Sequence, residues 1–220
     1  MNLKLSVICA LILFALTSHS RTLRIKIGSS EKDAKIYSNG ELLGNGSVEI
    51  LLLPNRSAMV EIKKVGFLTE TLELYNDDKH VRPKKEYFLT MRRDDSFDAS
   101  AATDQANMDI EIKTSKKEDE AWRLISEIVT SSFDVIETSD KSTGYMRTAW
   151  VTQSFLQNTI RTRIVIKSAG TSPLKYKVKL ISEYSGQAGS SVKNDELFKS
   201  WDRLLRKYEN IISELQTRLK

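Results

Sequence analysis

The sequence has few of the residues on which enzymes most often rely. Among its 220 residues there are one cysteine, Cys9, and two histidines, His19 and His80. Cys9 lies in an apolar stretch that we predict to be removed with the amino terminus. The mature protein would then contain no disulfide, no cysteine-ligated metal and no thiol nucleophile. The same cleavage would leave His80 as the one remaining histidine.

Familiar catalytic motifs are also absent from the sequence. No Gly-rich phosphate loop, no Gly-x-Ser-x-Gly and no His-Glu-x-x-His occurs. His80 follows Asp77 and Asp78 in a polar loop, which is typical of solvated charges, because a metal site needs a scaffold that fixes its ligands. The sequence therefore predicts no catalytic residue, no metal ligand and no cofactor.

The amino terminus has the pattern of a cleavable secretory signal peptide. A short basic segment, residues 1–4, precedes the apolar run 5–16. The small residues Ser18 and Ser20 then lie three positions and one position before a predicted cleavage at Arg21. The apolar run is shorter than the ~20 residues that a membrane-spanning helix needs. An uncleaved anchor is the alternative. The pattern predicts a bacterial periplasmic protein, in solution or associated with the outer membrane.

The composition is that of a globular, mildly basic protein. Lys and Arg number 34 against 29 Asp and Glu, which gives a formal net charge of +5. Charged residues make up 29% and hydrophobic residues 40% of the chain. This balance permits an anionic partner but does not require one.

Short alternating strands fill the first part of the chain. Leu23, Ile25 and Ile27 alternate with basic residues, and Asn39-Gly40 predicts a tight hairpin turn. The run AKIYSNGELLGNGSVEILLLPNRSAMVEIKKVGF resembles a PEGA domain, with Pro54-Asn55-Arg56-Ser57 in place of the Pro-Glu-Gly-Ala motif. The resemblance implies a small non-catalytic β-sandwich over residues 21–91, used as a binding or spacer module. Residues 92–107 are polar and lack periodicity, which predicts a linker.

The second part, residues 108–220, is predicted to have the element order β-α-β-β-β-β-α. Its helices are expected after Glu118 and over 193–220, and its sheet is expected to be antiparallel. Ala121-Trp122, Phe133-Asp134-Val135 and the polar turn ending in Gly144 resemble the helix-grip domains of the C subunit of the outer-membrane β-barrel assembly machinery. The predicted fold class is thus α+β, a small sandwich followed by a helix-grip domain. That resemblance implies a non-enzymatic accessory of the envelope.

Period-two alternation predicts one apolar and one basic face on this sheet. Trp150 is placed with the apolar face, and no aromatic residue is expected among the basic ones. The basic face is expected to be exposed and consists of Arg147, Arg161, Arg163, Lys175, Lys177 and Lys179. It would suit an anionic lipid surface or an acidic protein, while an ordinary solvated face is the alternative. Nucleic acid is not expected, because no aromatic residue would stack on bases.

The terminal helix is predicted to carry an apolar stripe at four-three spacing. Its first half would pack on the sheet, and its last turns could contact a partner through Ile211, Leu215 and Leu219. Taken together, the sequence predicts a non-enzymatic periplasmic scaffold or adaptor. Its partner would be an envelope complex, such as outer-membrane assembly or secretion machinery, or the outer membrane itself. The alternative is a small-ligand carrier or hydrolase with a site between sheet and helices.

Overall fold

The structure, a computed structural model, describes residues 21–220 and divides after Arg92 into two compact units. The predicted signal peptide, with Cys9, lies outside the described residues. Strands make up 47% and helices 16% of the structure, which agrees with an α+β or mainly-β fold. No helix within residues 21–220 is both long enough and apolar enough to cross a membrane.

The first unit is built from seven strands. They are β1 (Leu23–Ser29), β2 (Lys35–Ser38), β3 (Glu41–Asn45), β4 (Ser47–Leu52), β5 (Arg56–Lys63), β6 (Glu70–Asn76) and β7 (Glu86–Leu89). One sheet has the order β4-β1-β7, with β1 antiparallel to β4 and parallel to β7. The other is antiparallel, in the order β3-β2-β5-β6.

The two sheets of the first unit share one core, in a sandwich-like arrangement. The predicted alternation of β1 is confirmed at Ile25 and Ile27, which are buried against Ile36, Ile62 and Leu74 of the other sheet. Alternating side chains of a strand point to opposite faces, so the basic residues of β1 lie on the outer face.

The predicted Asn39-Gly40 turn is also confirmed. Its two residues have φ angles of 49° and 85°, as a hairpin turn with two left-handed positions requires, and they join β2 to β3. The Asn39 side-chain carbonyl accepts a hydrogen bond from the Met59 amide at 2.9 Å, which ties the turn to β5.

The second unit adds nine strands and three α-helices. They are α1 (Asp95–Asp98), β8 (Ser100–Ala102), β9 (Ile110–Thr114), α2 (Glu118–Ser132), β10 (Ile136–Asp140), β11 (Tyr145–Thr148), β12 (Val151–Ser154), β13 (Thr159–Thr171), β14 (Leu174–Tyr184), β15 (Lys199–Ser200), β16 (Arg203–Leu205) and α3 (Ile211–Arg218). The long β13–β14 hairpin is the centre of a seven-stranded antiparallel sheet. β11 and β12 both pair with β13, β10 pairs with β11, and β9 and β15 both pair with β14.

One face of this sheet, the inner face, forms the core of the unit with α2 and α3. Ile164 of β13 and Val178 of β14 are fully buried there together with Ile125 of α2. The rings of Phe133 and Tyr208 stack at a centroid distance of 4.9 Å in the same core. The inner face agrees with the predicted apolar face except at Trp150.

The segment predicted as a linker, residues 92–107, is instead folded: Arg92 ends the first unit, and residues 93–107 belong to the second. Asp94 caps α1 by accepting hydrogen bonds from the amides of Ser96 and Phe97. β8 then pairs with β16, and Asn107 exchanges hydrogen bonds with the backbone of Ser182. The segment looks like a linker in sequence because its strand is only three residues long and its partner lies about a hundred residues away.

The prediction of one terminal helix over 193–220 is wrong. The chain there forms a 3-10 turn (Asp195–Leu197), β15, β16, a second 3-10 turn (Arg206–Tyr208) and only then α3. Hydrogen bonding to β14 and β8 outweighs helix propensity, which is a weak determinant when tertiary partners are available.

The suggested partner-contacting residues of this segment are also placed differently from the prediction. Ile211, Leu215 and Leu219 are buried in the core of the second unit, so they hold α3 on its own unit. They are not available to a partner in this structure.

Replacement of Gly46 by alanine is expected to destabilise the first unit. Gly46 has a φ of 66°, and a Cβ there would lie 2.4 Å from the carbonyl oxygen of Lys32. We expect Gly46→Ala to lower the free energy of unfolding by about 3–5 kcal/mol. Gly40→Ala is the matched control: its φ is 85°, a Cβ meets open space, and the cost should be about 1–2 kcal/mol.

Hydrogen exchange of the Ser29 amide measures this effect, because that amide donates to the Gly46 carbonyl at 2.8 Å. The three tryptophans, 122, 150 and 201, all belong to the second unit, so their fluorescence checks that this unit stays folded. Equal losses for the two alanine variants would contradict the steric explanation.

Burial of Tyr208 predicts a loss of stability at high pH. Burial raises the pKa of Tyr208 from 10.0 to about 12, and the charge of Asp134 adds to this. The pKa of Tyr208 is higher in the folded than in the unfolded protein. The stability that its neutral, buried side chain contributes is therefore complete below pH 10 and is lost as the pH rises through about 12. Between pH 10 and 12, the free energy of unfolding of the wild type, measured by tryptophan fluorescence in urea, should fall by about 2–3 kcal/mol relative to that of Tyr208→Phe. The same pH dependence of stability in both proteins would contradict this role of Tyr208.

Candidate anion-binding site

The outer face of the second-unit sheet, opposite α2 and α3, carries the basic residues predicted from the sequence. Four of these six residues form ion pairs. Three of the four are in partly exposed pairs: Arg147 with Glu137 at 2.8 Å, Lys175 with Glu111 at 3.1 Å and Lys179 with Asp109 at 3.1 Å. The remaining three, Arg161, Arg163 and Lys177, differ sharply from one another.

A one-residue β-bulge between β11 and β12 changes the composition of this face. Arg147 lies opposite Val165, but Val151 lies opposite Thr162, so the edge contains one residue more than β13 does. An extra residue reverses the facing of every side chain that follows it. Trp150 therefore lies on the outer face, and its predicted position on the inner face is wrong.

Trp150 is stacked between two arginines of β13. The guanidinium carbon of Arg161 lies 4.3 Å from the Trp150 ring centroid, and that of Arg163 lies 4.0 Å from it. Phe198 covers Arg161 at 4.1 Å. The expectation that no aromatic residue would lie among the basic ones is thus wrong, and each stack restrains the plane of a guanidinium group.

Arg161 is a structural residue, and the prediction that it is exposed is wrong. It is only 4% exposed. Its Nε donates to Glu183 at 2.7 Å, and its Nη1 donates to Asp195 at 2.5 Å and to the Val192 carbonyl at 2.9 Å. A buried guanidinium needs such partners, because an uncompensated charge is costly away from water. Arg161 thereby fastens residues 192–198 to the sheet.

Arg163 has the opposite environment. Within residues 21–220 it forms no ion pair, and its Nε is buried without a hydrogen-bond partner. Its pKa is lowered from the ordinary value, first by burial and next by the charge of Arg147. A half-buried guanidinium that stacks on Trp150 and forms no ion pair among the described residues has donors that can bind an anion.

Arg163 lies in the wall of a small groove on the outer face. The groove has a volume of about 210 Å³, and Val165 and Ile181 contribute its apolar lining. Tyr145 also lines it, and Asp109 is the one acidic residue among the described lining residues. We call it the basic groove after its five cationic lining residues, Arg147, Arg163, Lys167, Lys177 and Lys179.

Lys167 is the site residue that the sequence analysis missed. It lies directly opposite Lys177 across the β13–β14 hairpin, and the described residues provide no ion pair for either lysine. Lys167 follows Arg161 and Arg163 at even spacing, so strict alternation along β13 would have placed it on the same face. Like charges at opposed positions destabilise a sheet, and a bound anion would relieve this repulsion.

His80 belongs to a different local structure in the first unit. Its ring stacks on Tyr75 at 3.9 Å, and its Nδ1 lies 2.8 Å from an Asp77 carboxylate oxygen. The hydrogen bond with His80 lowers the pKa of Asp77. Within the described part of the chain, no three His, Cys, Asp or Glu residues are grouped so that they could hold a metal ion.

No protein-family model and no curated protein sequence matches this chain.

Loss of Arg161 is expected to destabilise the second unit far more than loss of Arg147. Arg161→Gln leaves Glu183 without its buried partner and should lower the free energy of unfolding by about 3 kcal/mol. Arg147→Gln, in a more exposed ion pair, should cost less than about 1 kcal/mol. Urea unfolding followed by tryptophan fluorescence distinguishes the two cases. A loss of similar size in both variants would show that Arg161 is not the fastening residue.

Proposed function

We propose that this protein is a non-enzymatic adaptor of the bacterial cell envelope that attaches to an anionic membrane surface through the basic groove. The observation that carries the proposal is the set of uncompensated cations at the groove, Arg163, Lys167 and Lys177. Clustered basic side chains each contribute about 1 kcal/mol to attraction toward an anionic lipid surface. The predicted signal peptide supports a periplasmic location, in which the outer membrane is accessible.

A membrane surface suits the groove better than an acidic protein does. Protein interfaces are depleted of lysine and enriched in aromatic and apolar residues at their centres. The basic groove has three lysines around its opening, and its aliphatic lining residues, Val165 and Ile181, are buried or half-buried. A protein complex of the envelope, such as assembly or secretion machinery, is the other partner that the sequence resemblance suggests.

The finer architecture is part of the proposal. We infer that the first unit is a PEGA-like spacer and the second a helix-grip domain in which α2 and α3 cover one face of the sheet. The sandwich-like sheets of the first unit and the helix-covered sheet of the second support this assignment. Neither resemblance implies catalysis.

The competing function is a carrier or hydrolase with a site between sheet and helices. Such a site needs a cavity that contains a few convergent polar groups. The layer between sheet and helices holds the stacked rings of Phe133 and Tyr208 and the side chains of Ile125 and Ile128, all buried. This packing favours the adaptor over the carrier.

Sedimentation with lipid vesicles tests the proposed function. The protein should bind vesicles that contain an anionic phospholipid and not vesicles of neutral phosphatidylcholine. Binding should weaken as salt is raised, because the attraction is electrostatic. Lys167→Glu with Lys177→Glu should reduce the partition coefficient about thirtyfold or more, since the loss of two lysines at ~1 kcal/mol each is ~2 kcal/mol and the reversed charges add to it.

The matched control is Lys79→Glu with Lys84→Glu, which makes the same charge change on exposed residues of the first unit. It should leave vesicle binding nearly unchanged. Equal loss in both double variants would indicate attraction by net charge alone and would contradict a role for the basic groove.

A further inference from the structure

Arg163 is the most specific feature of the basic groove, because its position is fixed from one side and open on the other. Trp150 stacks on the guanidinium at 4.0 Å, and Arg161 holds the opposite side of the same indole at 4.3 Å. Arg161 is itself fixed by Glu183 and Asp195. The position of Arg163 is thus linked, through Trp150, to the buried Arg161 and its two ion pairs.

The charges around Arg163 exceed what one monoanion would neutralise. Lys167 and Lys177 face each other across the hairpin and line the same groove as Arg163. Glu111 lies opposite Lys177 in the sheet register, yet its carboxylate pairs with Lys175. Three cations are therefore left without a carboxylate partner among the described residues.

A phosphomonoester matches this arrangement better than a carboxylate does. It carries a charge of about −1.5 to −2 and three strong acceptor oxygens. Arginine presents a planar fork of donors suited to phosphate oxygens, whereas lysine acts as a point charge. A carboxylate offers two oxygens and one charge, which would leave most of the repulsion between Lys167 and Lys177 in place.

We propose that the basic groove is a binding site for a phosphomonoester group, in which Arg163 donates to the phosphate oxygens and Lys167 and Lys177 neutralise its second charge. The ligand is either a phosphate-bearing lipid headgroup or a free phosphate. This inference rests on the proposed function, since it names the anionic group that the same groove recognises.

Solution binding tests the recognition directly. Inorganic phosphate is titrated into the full-length protein at about pH 8, where it is a dianion, at constant ionic strength. Acetate is titrated in parallel, and amide and guanidinium NMR shifts are followed. Phosphate should give a saturable shift at Arg163, and acetate should not. Arg163→Lys should weaken phosphate binding about five- to tenfold, because the charge stays while the donor fork is lost.

Two further variants make this result interpretable. Lys177→Gln removes one neutralising charge from an exposed residue and should also weaken phosphate binding. Lys113→Gln, which alters an exposed lysine of β9 outside the groove lining and leaves the Lys175–Glu111 ion pair in place, should bind phosphate as the wild type does. Phosphate binding that is unchanged in Arg163→Lys, or acetate binding as tight as phosphate binding, would overturn the proposal.

Vesicles of equal surface charge distinguish the two ligand sources and the two proposals. Phosphatidic acid presents a phosphomonoester, and phosphatidylglycerol presents a diester. A preference for phosphatidic acid that is lost in Arg163→Lys supports a lipid headgroup. Equal binding to both lipids that does not depend on Arg163 sinks the phosphomonoester site and leaves the membrane adaptor standing. Saturable, Arg163-dependent phosphate binding without vesicle binding supports a free phosphate and overturns the membrane adaptor.

Discussion

The bulge between β11 and β12 is the constraint on which the chemistry of the second unit depends. Without the extra residue, Trp150 would point into the core and Arg161 would lose one of the two rings that cover it. With it, Trp150 contacts both Arg161 and Arg163. The ring therefore connects Arg161, which pairs with Glu183 and Asp195, to an arginine that forms no ion pair within residues 21–220. A local change in backbone register thus decides which side chains meet on the outer face.

The same face shows two ways in which a sheet can accommodate arginine. Arg161 is buried and satisfied by two carboxylates, a carbonyl and two rings, so it stabilises the fold and is unavailable for binding. Arg163, two residues further on, shares the ring but has a buried Nε without a partner. Adjacent outward positions of one strand therefore differ: Arg161 stabilises the fold, and Arg163 is the residue that we propose for binding. Exposure alone would not have assigned these roles, since the pairing of each charge decides them.

Much of the fold could be predicted from side-chain alternation, and the failures have identifiable causes. Strict period-two patterns place the core residues of β1, β13 and β14, and Asn39-Gly40 places a hairpin turn. The bulge cannot be recognised in the sequence, because it falls at Ala149 and Trp150, where no glycine or proline marks a break in the strand. The apolar residues of β15 and β16 fit a helical spacing equally well. Their strand conformation depends on pairing with β14 and β8, which lie far away in the sequence.

The candidate site was partly predictable for the same reason. Alternation brings five of its cations to one face, yet it says nothing about which of them find carboxylates. That depends on β9, whose Glu111 pairs with Lys175 although it lies opposite Lys177, and on Asp109 just before it, which pairs with Lys179. Glu111 of β9 and Asp109 just before it thus form ion pairs with two lysines of β14, and neither pairs with Lys177. The resulting excess of positive charge lies beside Arg163. A sheet can tolerate repulsion such as that between Lys167 and Lys177 where a bound ligand neutralises the charges.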